Sequence, residues 1–278
     1  MPPSPGDPDD TLPVQPFTLH RGSTPLLLSL PHTGTWMPEA VLARMHPRAA
    51  ELEDTDWHLG RLYAFAEALG ASVLMPVAHR YLIDLNRPPE NVPMYPGVNN
   101  TGLCPLHFFT GEALYQPGEE PSDAEVQQRV TQWWQPYHDA LKSELQRIQA
   151  RHGHAVVLEG HSIRSELPWL FEGRLWDLNL GTASGGSCAP ELRAGVIDLF
   201  SAQSRWSHVA DRRFRGGYIT RHYGRPDHGV HTLQLEMTWR CYMDEAPPYA
   251  WNAARAAEVQ PVLQSLLTLL RDWRPDPR

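Results

Sequence analysis

An apolar run that stops at charged side chains is the feature of this sequence that most limits its fold. Residues 154–162 read HAVVLEGHS, so an apolar stretch is followed at once by Glu159 and His161. A short apolar run of this length is typical of a strand buried in a sheet. Three other runs end in the same way: LLLSLPH at His32, YLIDLNR at Asn86 and Arg87, and HTLQLE at Glu236. Because the carboxyl ends of parallel strands line one crevice, these side chains are expected to meet.

The order of apolar runs and periodic segments predicts the fold class. We predict strands at 25–32, 71–77, 81–87, 154–162 and 229–238. A helix is predicted within 51–70, where the helical period starts at Trp57, and two others are predicted at 190–203 and 253–273. A long helix is predicted at 122–153, beginning at the capping box of Ser122 and Glu125 and ending at Gly153. Strands separated by helices indicate an α/β fold with a mostly parallel sheet covered on both faces. The segment 88–121 is rich in proline and glycine and long for a loop, so we expect it to fold over something.

Charge and cysteine content exclude several classes of partner. The net charge of −8 argues against nucleic acid or an anionic membrane, and an anionic ligand would need a local group of arginines. Three widely spaced cysteines suit neither a disulfide framework nor a C-x-x-C metal site, which predicts a cytoplasmic location. No apolar run approaches the roughly 18 residues of a membrane span. We expect residues 1–14 to be disordered or extended and residues 15–278 to form a single catalytic domain.

The predicted crevice contains the donors of a catalytic metal site. Catalytic zinc takes three nitrogen or oxygen side chains and leaves one position for water. His32 and His161 are the first two predicted ligands, because each directly follows an apolar run. The third is predicted to be a carboxylate from EDTDWH, where Asp56 is preferred and Asp54 and His58 are the alternatives. One divalent ion, Zn²⁺, is predicted, although the same donors also accept Fe²⁺, Co²⁺ or Mn²⁺.

Several longer motifs carry a resemblance to a known family. In chain order they are PHTG, DTDWH, HRYLIDLNRPP, TGLCP, GHSIRS, DLNLGT, GGYITRHYG and LQLEM. Together they resemble the N-formylglutamate amidohydrolase family, also called N-formylglutamate deformylases, from about residue 15 to 246. That family is similar to the zinc carboxypeptidases and aspartoacylases. The resemblance implies a three-layer αβα fold with a mixed, mostly parallel central sheet.

The resemblance also implies an activity and roles for individual residues. The implied reaction is hydrolysis of N-formyl-L-glutamate, a small anionic substrate, to formate and L-glutamate, the last step in one route of histidine breakdown. His32, Asp56 and His161 would hold the metal. Glu236 would be the general base and, with Arg87, would form the catalytic pair. The implied substrate-binding residues are Asn86, Arg87, Arg80, Arg164, Tyr218 and Arg221.

Two departures from the related families bear on these roles. The H-x-x-E ligand pair of the carboxypeptidases is absent, since Thr35 stands three residues after His32. Glu159 stands where the family pattern D-x-H-S has aspartate, and from there it would orient His161. Strand alternation would place Asp84 and Arg87 on opposite faces, so we expect Arg87 to face a ligand rather than to pair with Asp84.

Other interpretations of the same residues remain open. Glu236 could be a buried carboxylate paired with an arginine for structural reasons. The chain could instead be a related N-acyl amino acid deacylase or a carboxypeptidase-like hydrolase. From a different class, it could be a non-catalytic metal- or amino-acid-binding protein.

Overall fold

The computed structural model of the protein describes residues 15–93, 97 and 99–276. The segment 1–14, predicted to be disordered or extended, lies outside the described residues. Within the described ranges, no helix has both the length and the apolar character needed to span a membrane.

Seven strands form one mixed sheet in the order β1-β3-β2-β4-β7-β5-β6. Their bounds are β1 Phe17–His20, β2 Leu26–Ser29, β3 Ser72–Pro76, β4 Ala155–Ile163, β5 Leu178–Gly181, β6 His208–Ala210 and β7 Val230–Thr238. Strands β3, β2, β4 and β7 are parallel neighbours, and β5 and β6 are parallel to each other. Only the β1–β3 and β5–β7 pairings are antiparallel among the described strands. The predicted mixed, mostly parallel sheet is therefore confirmed.

Helices cover both faces of this sheet. The helices are α1 Glu39–Leu42, α2 Leu59–Leu62, α3 Asp123–Arg129, α4 Gln135–His152, α5 Pro190–Ser201, α6 Tyr218–Tyr223 and α7 Ala253–Asp272. On one face, Leu26 and Leu28 of β2 share a core with the apolar side chains of α5 and α7. On the other face, Leu27 shares a core with α4. Successive residues of a strand point to opposite faces, so this division gives the three layers that the resemblance implies.

The central strands β4 and β7 explain why the apolar runs were informative. Each has nine residues and all of them are buried. Their register pairs Ala155 with Val230 and runs on to His161 beside Glu236. A strand that is covered on both faces needs apolar side chains at nearly every position, which gives a continuous run rather than an alternation.

The helix predicted within 51–70 is wrong in its extent, because the backbone is interrupted close to the candidate metal ligands. Leu52 and His58 adopt left-handed backbone angles, with φ of 49° and 62°, which interrupt any continuous helix. Within this range only α2 and the 3₁₀ turn Ala64–Ala66 are helical. Between the two left-handed residues, the backbone N–H of Asp56 donates to the carbonyl of His32 at 3.0 Å. The broken backbone therefore holds Asp56 next to the end of β2.

The strand predicted at 81–87 is also wrong, because this segment forms consecutive turns. The N–H of Leu82 donates to the carbonyl of His79 at 3.0 Å, and the N–H of Arg87 donates to that of Asp84 at 3.2 Å. The Asp84 carboxylate accepts the N–H of Asn86 at 2.8 Å, as in an Asx turn. Strand alternation does not apply to such a backbone. Arg87 Nη1 lies 3.8 Å from Asp84 Oδ2, so the predicted separation of these two residues is wrong.

The helix predicted at 122–153 is present, with one irregularity. Ser122 Oγ accepts the N–H of Glu125 at 3.3 Å, which confirms the predicted cap. The π-helical stretch Val130–Trp134 lies between α3 and α4. Gly153, in the left-handed conformation, ends α4 as predicted. No pattern in the sequence predicted α1, β1, β5, β6 or α6.

Candidate active site

Three buried side chains converge at the carboxyl ends of adjacent parallel strands. His32 follows β2, and His161 lies near the end of the neighbouring strand β4. Asp56 is tied to His32 by the backbone hydrogen bond described above. The three residues are 3%, 1% and 3% exposed, in the order His32, Asp56, His161. One ligand atom from each lies within 4.8 Å of the others, so the group could hold a metal ion.

Hydrogen bonds on the far side of each imidazole fix which nitrogen faces the cluster. His32 Nε2 lies 2.6 Å from Asp84 Oδ1, and His161 Nε2 lies 2.6 Å from Glu159 Oε1. A carboxylate only accepts, so each Nε2 carries a proton and each Nδ1 is directed toward Asp56. Asp56 Oδ2 lies 3.7 Å from Nδ1 of His32 and 3.1 Å from Nδ1 of His161. Carboxylates in this position orient metal-binding histidines in many proteins.

The surroundings of His32 Nδ1 indicate whether a cation fits into the cluster. This atom is buried, and no described residue hydrogen-bonds to it. Leaving a buried polar atom without a partner costs free energy, roughly 1–3 kcal/mol. Two nitrogen donors and one carboxylate oxygen are also a common donor set of catalytic zinc. The residues present therefore fit a divalent metal ion.

The electrostatics of the cluster favour added positive charge. Burial opposes ionisation of Asp56, but its contacts with His161 and His32 outweigh burial and lower its pKa to about 2. Burial likewise opposes ionisation of Asp84, yet the charges of His32, Arg87 and Arg80 hold its pKa well below the usual value. Burial would lower the pKa of His161, but Asp56 and Glu159 raise it well above the usual value. All three shifts have the same cause, which is that the buried carboxylates favour positive charge beside them, and a bound cation would supply such charge.

Glu159 lies at the centre of a fully buried hydrogen-bond network. Its Oε2 accepts the N–H of Thr220 at 2.9 Å and the hydroxyl of Thr220 at 2.5 Å. Its Oε1 accepts both His161 Nε2 and the side-chain amide of Asn86. The amide oxygen of Asn86 in turn accepts the N–H of Ile219 at 3.0 Å. The predicted orientation of His161 by Glu159 is what the structure shows, and both ends of the Asn86 amide are already engaged.

Glu236 lies beside this cluster with its carboxylate in a cleft. It is the register partner of His161 across the β4–β7 pairing, and it is 7% exposed. Among the described residues, none forms a hydrogen bond or ion pair with its carboxylate. Burial, with further repulsion from Asp56 and Glu159, raises the pKa of Glu236 to about 8. Structural pairing with an arginine, the alternative interpretation of this residue, is not found in the described part of the chain.

The cleft joins the cluster to several side chains from distant segments. Its lining residues are His32, Asp56, Arg80, Asn86, Arg87, Asn100, Thr101, Phe109, His161, Ser162, Ile163, Leu170, Arg213, Phe214, Gly217, Gln234 and Glu236. Three of the lining residues, Asn100, Thr101 and Phe109, belong to the segment 88–121, which was expected to fold over something. Arg213, Thr101 and Gln234 were not among the predicted site residues. Nothing in their local pattern distinguishes them, because their neighbours in the cleft are distant in the chain.

The predicted arginines divide between the cleft and other locations. Arg80 lies in the cleft, donates to Asp84 Oδ2 at 2.8 Å and packs over the ring of Phe109 at 4.5 Å. Arg87 lies in the cleft with its guanidinium held by Thr101, through Nε to the carbonyl at 2.9 Å and Nη2 to the hydroxyl at 3.1 Å. Both are therefore positioned before any substrate arrives.

The other predicted substrate contacts do not line the cleft. Arg164 donates to Glu53 Oε2 at 2.9 Å and to the hydroxyl of Tyr249 at 2.8 Å. Arg221 donates to the carbonyl of Gly216 at 2.8 Å. Tyr218 stacks on the ring of His222, with ring centroids 4.7 Å apart.

The structure also separates the three candidates for the third metal ligand. Asp54 Oδ2 accepts the hydroxyl of Tyr81 and the N–H of Phe109, each at 2.9 Å. His58 Nε2 donates to the carbonyl of Tyr249 at 2.8 Å. Only Asp56 of the three is close to His32 and His161.

Comparison with known proteins shows what this chain is similar to. A family model described as N-formylglutamate amidohydrolase matches residues 24–243. An N-formylglutamate deformylase of Pseudomonas aeruginosa is 46% identical over 257 residues, which cover 92% of this chain and 96% of that protein. An N-formylglutamate deformylase of Pseudomonas putida is 43% identical over 257 residues, with the same shares of 92% and 96%.

Solved structures share the fold at lower identity. The crystal structure of an N-formylglutamate amidohydrolase from Ralstonia eutropha JMP134 has a TM-score of 0.77 at 24% identity, covering 91% of this chain and 96% of that chain. A gene product of Agrobacterium tumefaciens has a TM-score of 0.68 at 16% identity, covering 91% of this chain and 94% of that chain. At these identities the similarity shows only that the fold is shared.

Proposed function

The chain belongs to the N-formylglutamate amidohydrolase family and hydrolyses N-formylglutamate, and from this premise we propose that it does so with a divalent metal ion and a glutamate base. The proposed metal ligands are His32, Asp56 and His161. The proposed base is Glu236. One observation carries this proposal: two buried imidazoles, each held by a carboxylate, direct Nδ1 toward Asp56. Glu236 lies beside them, and its carboxylate has no partner among the residues that the structure describes.

Zn²⁺ is the ion that we propose, because it favours this set of nitrogen and oxygen donors. When bound, such an ion polarises a carbonyl oxygen and makes water more acidic. Fe²⁺, Co²⁺ and Mn²⁺ accept the same donors, so elemental analysis of the purified protein is needed to identify the ion.

Glu236 moves the protons in the proposed reaction. Its carboxylate takes a proton from the attacking water as the water oxygen forms a bond to the formyl carbon. It then passes that proton to the amide nitrogen as the C–N bond breaks, which releases formate and L-glutamate. A pKa of about 8 is suited to donating the proton, and positive charge at the cluster would lower this pKa toward the value needed for accepting it.

Arginines in the cleft account for recognition of a substrate with two carboxylates. The chain carries a net charge of −8, so an anionic substrate depends on local positive charge. Arg80, Arg87 and Arg213 line the cleft. We assign Arg87 a catalytic role, because a guanidinium fixed by Thr101 can hold a substrate carboxylate and thereby position the formyl carbon. Asn86 is assigned to positioning Glu159 rather than to binding substrate.

Wider features of the protein are proposed on the same basis. One continuous sheet supports a single catalytic domain over residues 15–278. The free cysteines Cys104, Cys188 and Cys241 support a cytoplasmic location. The substrate, N-formylglutamate, supports a place in histidine breakdown.

Formate release and metal content together test this proposal. The purified protein should contain about one equivalent of a divalent metal and should release formate from N-formyl-L-glutamate until a chelator removes the metal. The variant His161→Ala should lose both metal and activity. His20→Ala, on the exposed face of edge strand β1, is the matched control and should keep both. Full metal content in His161→Ala would overturn the proposed coordination. Activity on N-acetyl-L-glutamate distinguishes the two enzyme classes, because a deformylase should not hydrolyse it and a broader deacylase should.

A further inference from the structure

One glutamine that lines the cleft takes no part in the proposed reaction. Resting on the proposed function, we propose that Gln234 is a specificity residue whose side-chain amide binds the substrate carboxylate farther from the formyl group. Gln234 lines the cleft and is 3% exposed.

The orientation of this amide is fixed by the backbone. The N–H of Gly217 donates to Gln234 Oε1 at 2.7 Å. Because a backbone N–H can only donate, the oxygen must face Gly217 and the NH₂ group must face away from it. Within the described ranges, no acceptor is found for Nε2. A nearly buried donor group without a partner therefore faces the cleft, where a ligand oxygen can accept from it.

Gly217 makes this arrangement possible. A Cβ atom at this position would overlap the side-chain amide of Asn86, which is already hydrogen-bonded to Glu159 and Ile219, so a larger residue here would have to displace that amide. The glycine thus connects Gln234 to the network that holds Glu159. The orientation of Gln234 and of the metal-site network depends on the same close approach.

The spacing along β7 identifies the part of the substrate that Gln234 can reach. Gln234 and Glu236 are two residues apart on one strand, so they share a face with Cα atoms separated by roughly 7 Å. In an extended N-formylglutamate, the side-chain carboxylate lies roughly 6 Å from the formyl carbon, by standard bond lengths. With the formyl group beside Glu236, that carboxylate lies near Gln234. The other carboxylate is closer to the reacting carbon, and in this arrangement the arginines of the cleft would bind it.

A substitution of nearly the same shape that adds a negative charge distinguishes recognition of the substrate from structural support. Gln234→Glu keeps an oxygen for the N–H of Gly217 but replaces the NH₂ donors with an acceptor. At alkaline pH the new carboxylate should repel the distal carboxylate of N-formyl-L-glutamate and should accept from the carboxamide of N-formyl-L-glutamine. We expect the ratio of kcat/KM for these two substrates to fall by about tenfold or more, mainly through KM for N-formyl-L-glutamate.

Two further variants complete the experiment. Gln203→Glu is the matched control, since its amide oxygen also accepts a backbone N–H, that of Trp206 at 2.7 Å, but it lies outside the cleft. Its substrate ratio should equal that of the wild type. Gln234→Met removes both donors and acceptor, and it should raise KM for N-formyl-L-glutamate without favouring N-formyl-L-glutamine. It also serves as the test if Gln234→Glu does not fold.

The outcomes distinguish this inference from the function on which it rests. No formate release by the wild type would refute the proposed function. An active wild type with an unchanged substrate ratio in Gln234→Glu would refute only the role of Gln234, because a residue that merely supports Gly217 tolerates that substitution. In Gln234→Met, an unchanged KM for N-formyl-L-glutamate would likewise refute it.

Discussion

Replacing Glu159 with glutamine should damage the metal site from a distance. The two carboxylate oxygens accept four donors: His161 Nε2, the Asn86 amide, and the N–H and hydroxyl of Thr220. A glutamine has only one oxygen, so its NH₂ group must face donors on one side. If the NH₂ group faces Thr220, the backbone N–H of Thr220 loses its acceptor, because that group can only donate. If the NH₂ group faces His161, Nε2 must accept, which favours the tautomer with the proton on Nδ1, the atom proposed to bind the metal.

Either orientation has a cost that can be estimated. A hydrogen bond to a charged group contributes about 1.5–3 kcal/mol, and Glu159 is fully buried, so we expect the free energy of unfolding to fall by roughly 2–4 kcal/mol. Residues that orient metal ligands typically change metal affinity by about 10- to 100-fold when substituted. The affinity of the Glu159→Gln variant for Zn²⁺ should therefore be about 10- to 100-fold lower than that of the wild type.

Competition with a chromogenic chelator measures the affinity, and urea denaturation measures the stability. Glu144→Gln is the matched control, because Glu144 is also a buried carboxylate but binds Arg147 and Ser72, and Ser72 lies at the start of β3, away from the carboxyl strand ends that hold the cluster. It should lose stability with no change in metal affinity. An unchanged Zn²⁺ affinity in Glu159→Gln would refute the argument that Glu159 sets the tautomer of His161.

Three more predictions follow from the same contacts. Glu236→Gln should lower kcat by about 100-fold or more while the metal content stays at the wild-type level, as checked by formate release and elemental analysis; wild-type kcat would exclude Glu236 as the base. Arg87→Ala should raise KM and lower kcat with the metal retained, whereas Arg221→Ala, outside the cleft, should change neither by more than a few fold; equal effects would remove Arg87 from the site. The pKa of Glu144 is lowered because hydrogen bonds from Arg147 and Ser72 outweigh burial. Its stabilising effect is therefore complete above the unfolded-state pKa and is lost as pH falls through the lower folded-state pKa, so urea unfolding of wild type and Glu144→Gln should converge in acid; a constant difference would contradict this.

The central strands could be predicted from the sequence because their environment is simple. β4 and β7 are buried on both faces, and the predicted bounds differ from the observed ones by one residue at each end of β4 and by one residue at the start of β7. The helix signals at Ser122 and Gly153 were local and were confirmed. His161 and Glu236 followed from these strands, because parallel strands in register bring their ends together.

Burial without regular structure could not be recognised in the same way. The run 81–87 is apolar because it is buried, yet its backbone forms turns held by Asp84. The periodic segment 51–70 is interrupted by two left-handed residues that are not glycine, and such residues leave little trace in a sequence. An apolar pattern reports that side chains are buried, but it does not report the backbone path.

The sequence by itself determined the α/β class and the family, and it singled out His32, His161 and Glu236. Only the tertiary structure decided that Asp56 rather than Asp54 or His58 completes the cluster, that Asp84 and Glu159 hold the imidazoles, and that Arg164, Tyr218 and Arg221 lie outside the cleft. The physical reason is the separation along the chain of the residues that interact. Strand and helix signals arise between residues that are close in the sequence. The contacts of the site join residues such as Asn86 and Ile219, 133 positions apart, and the packing of the layers determines them.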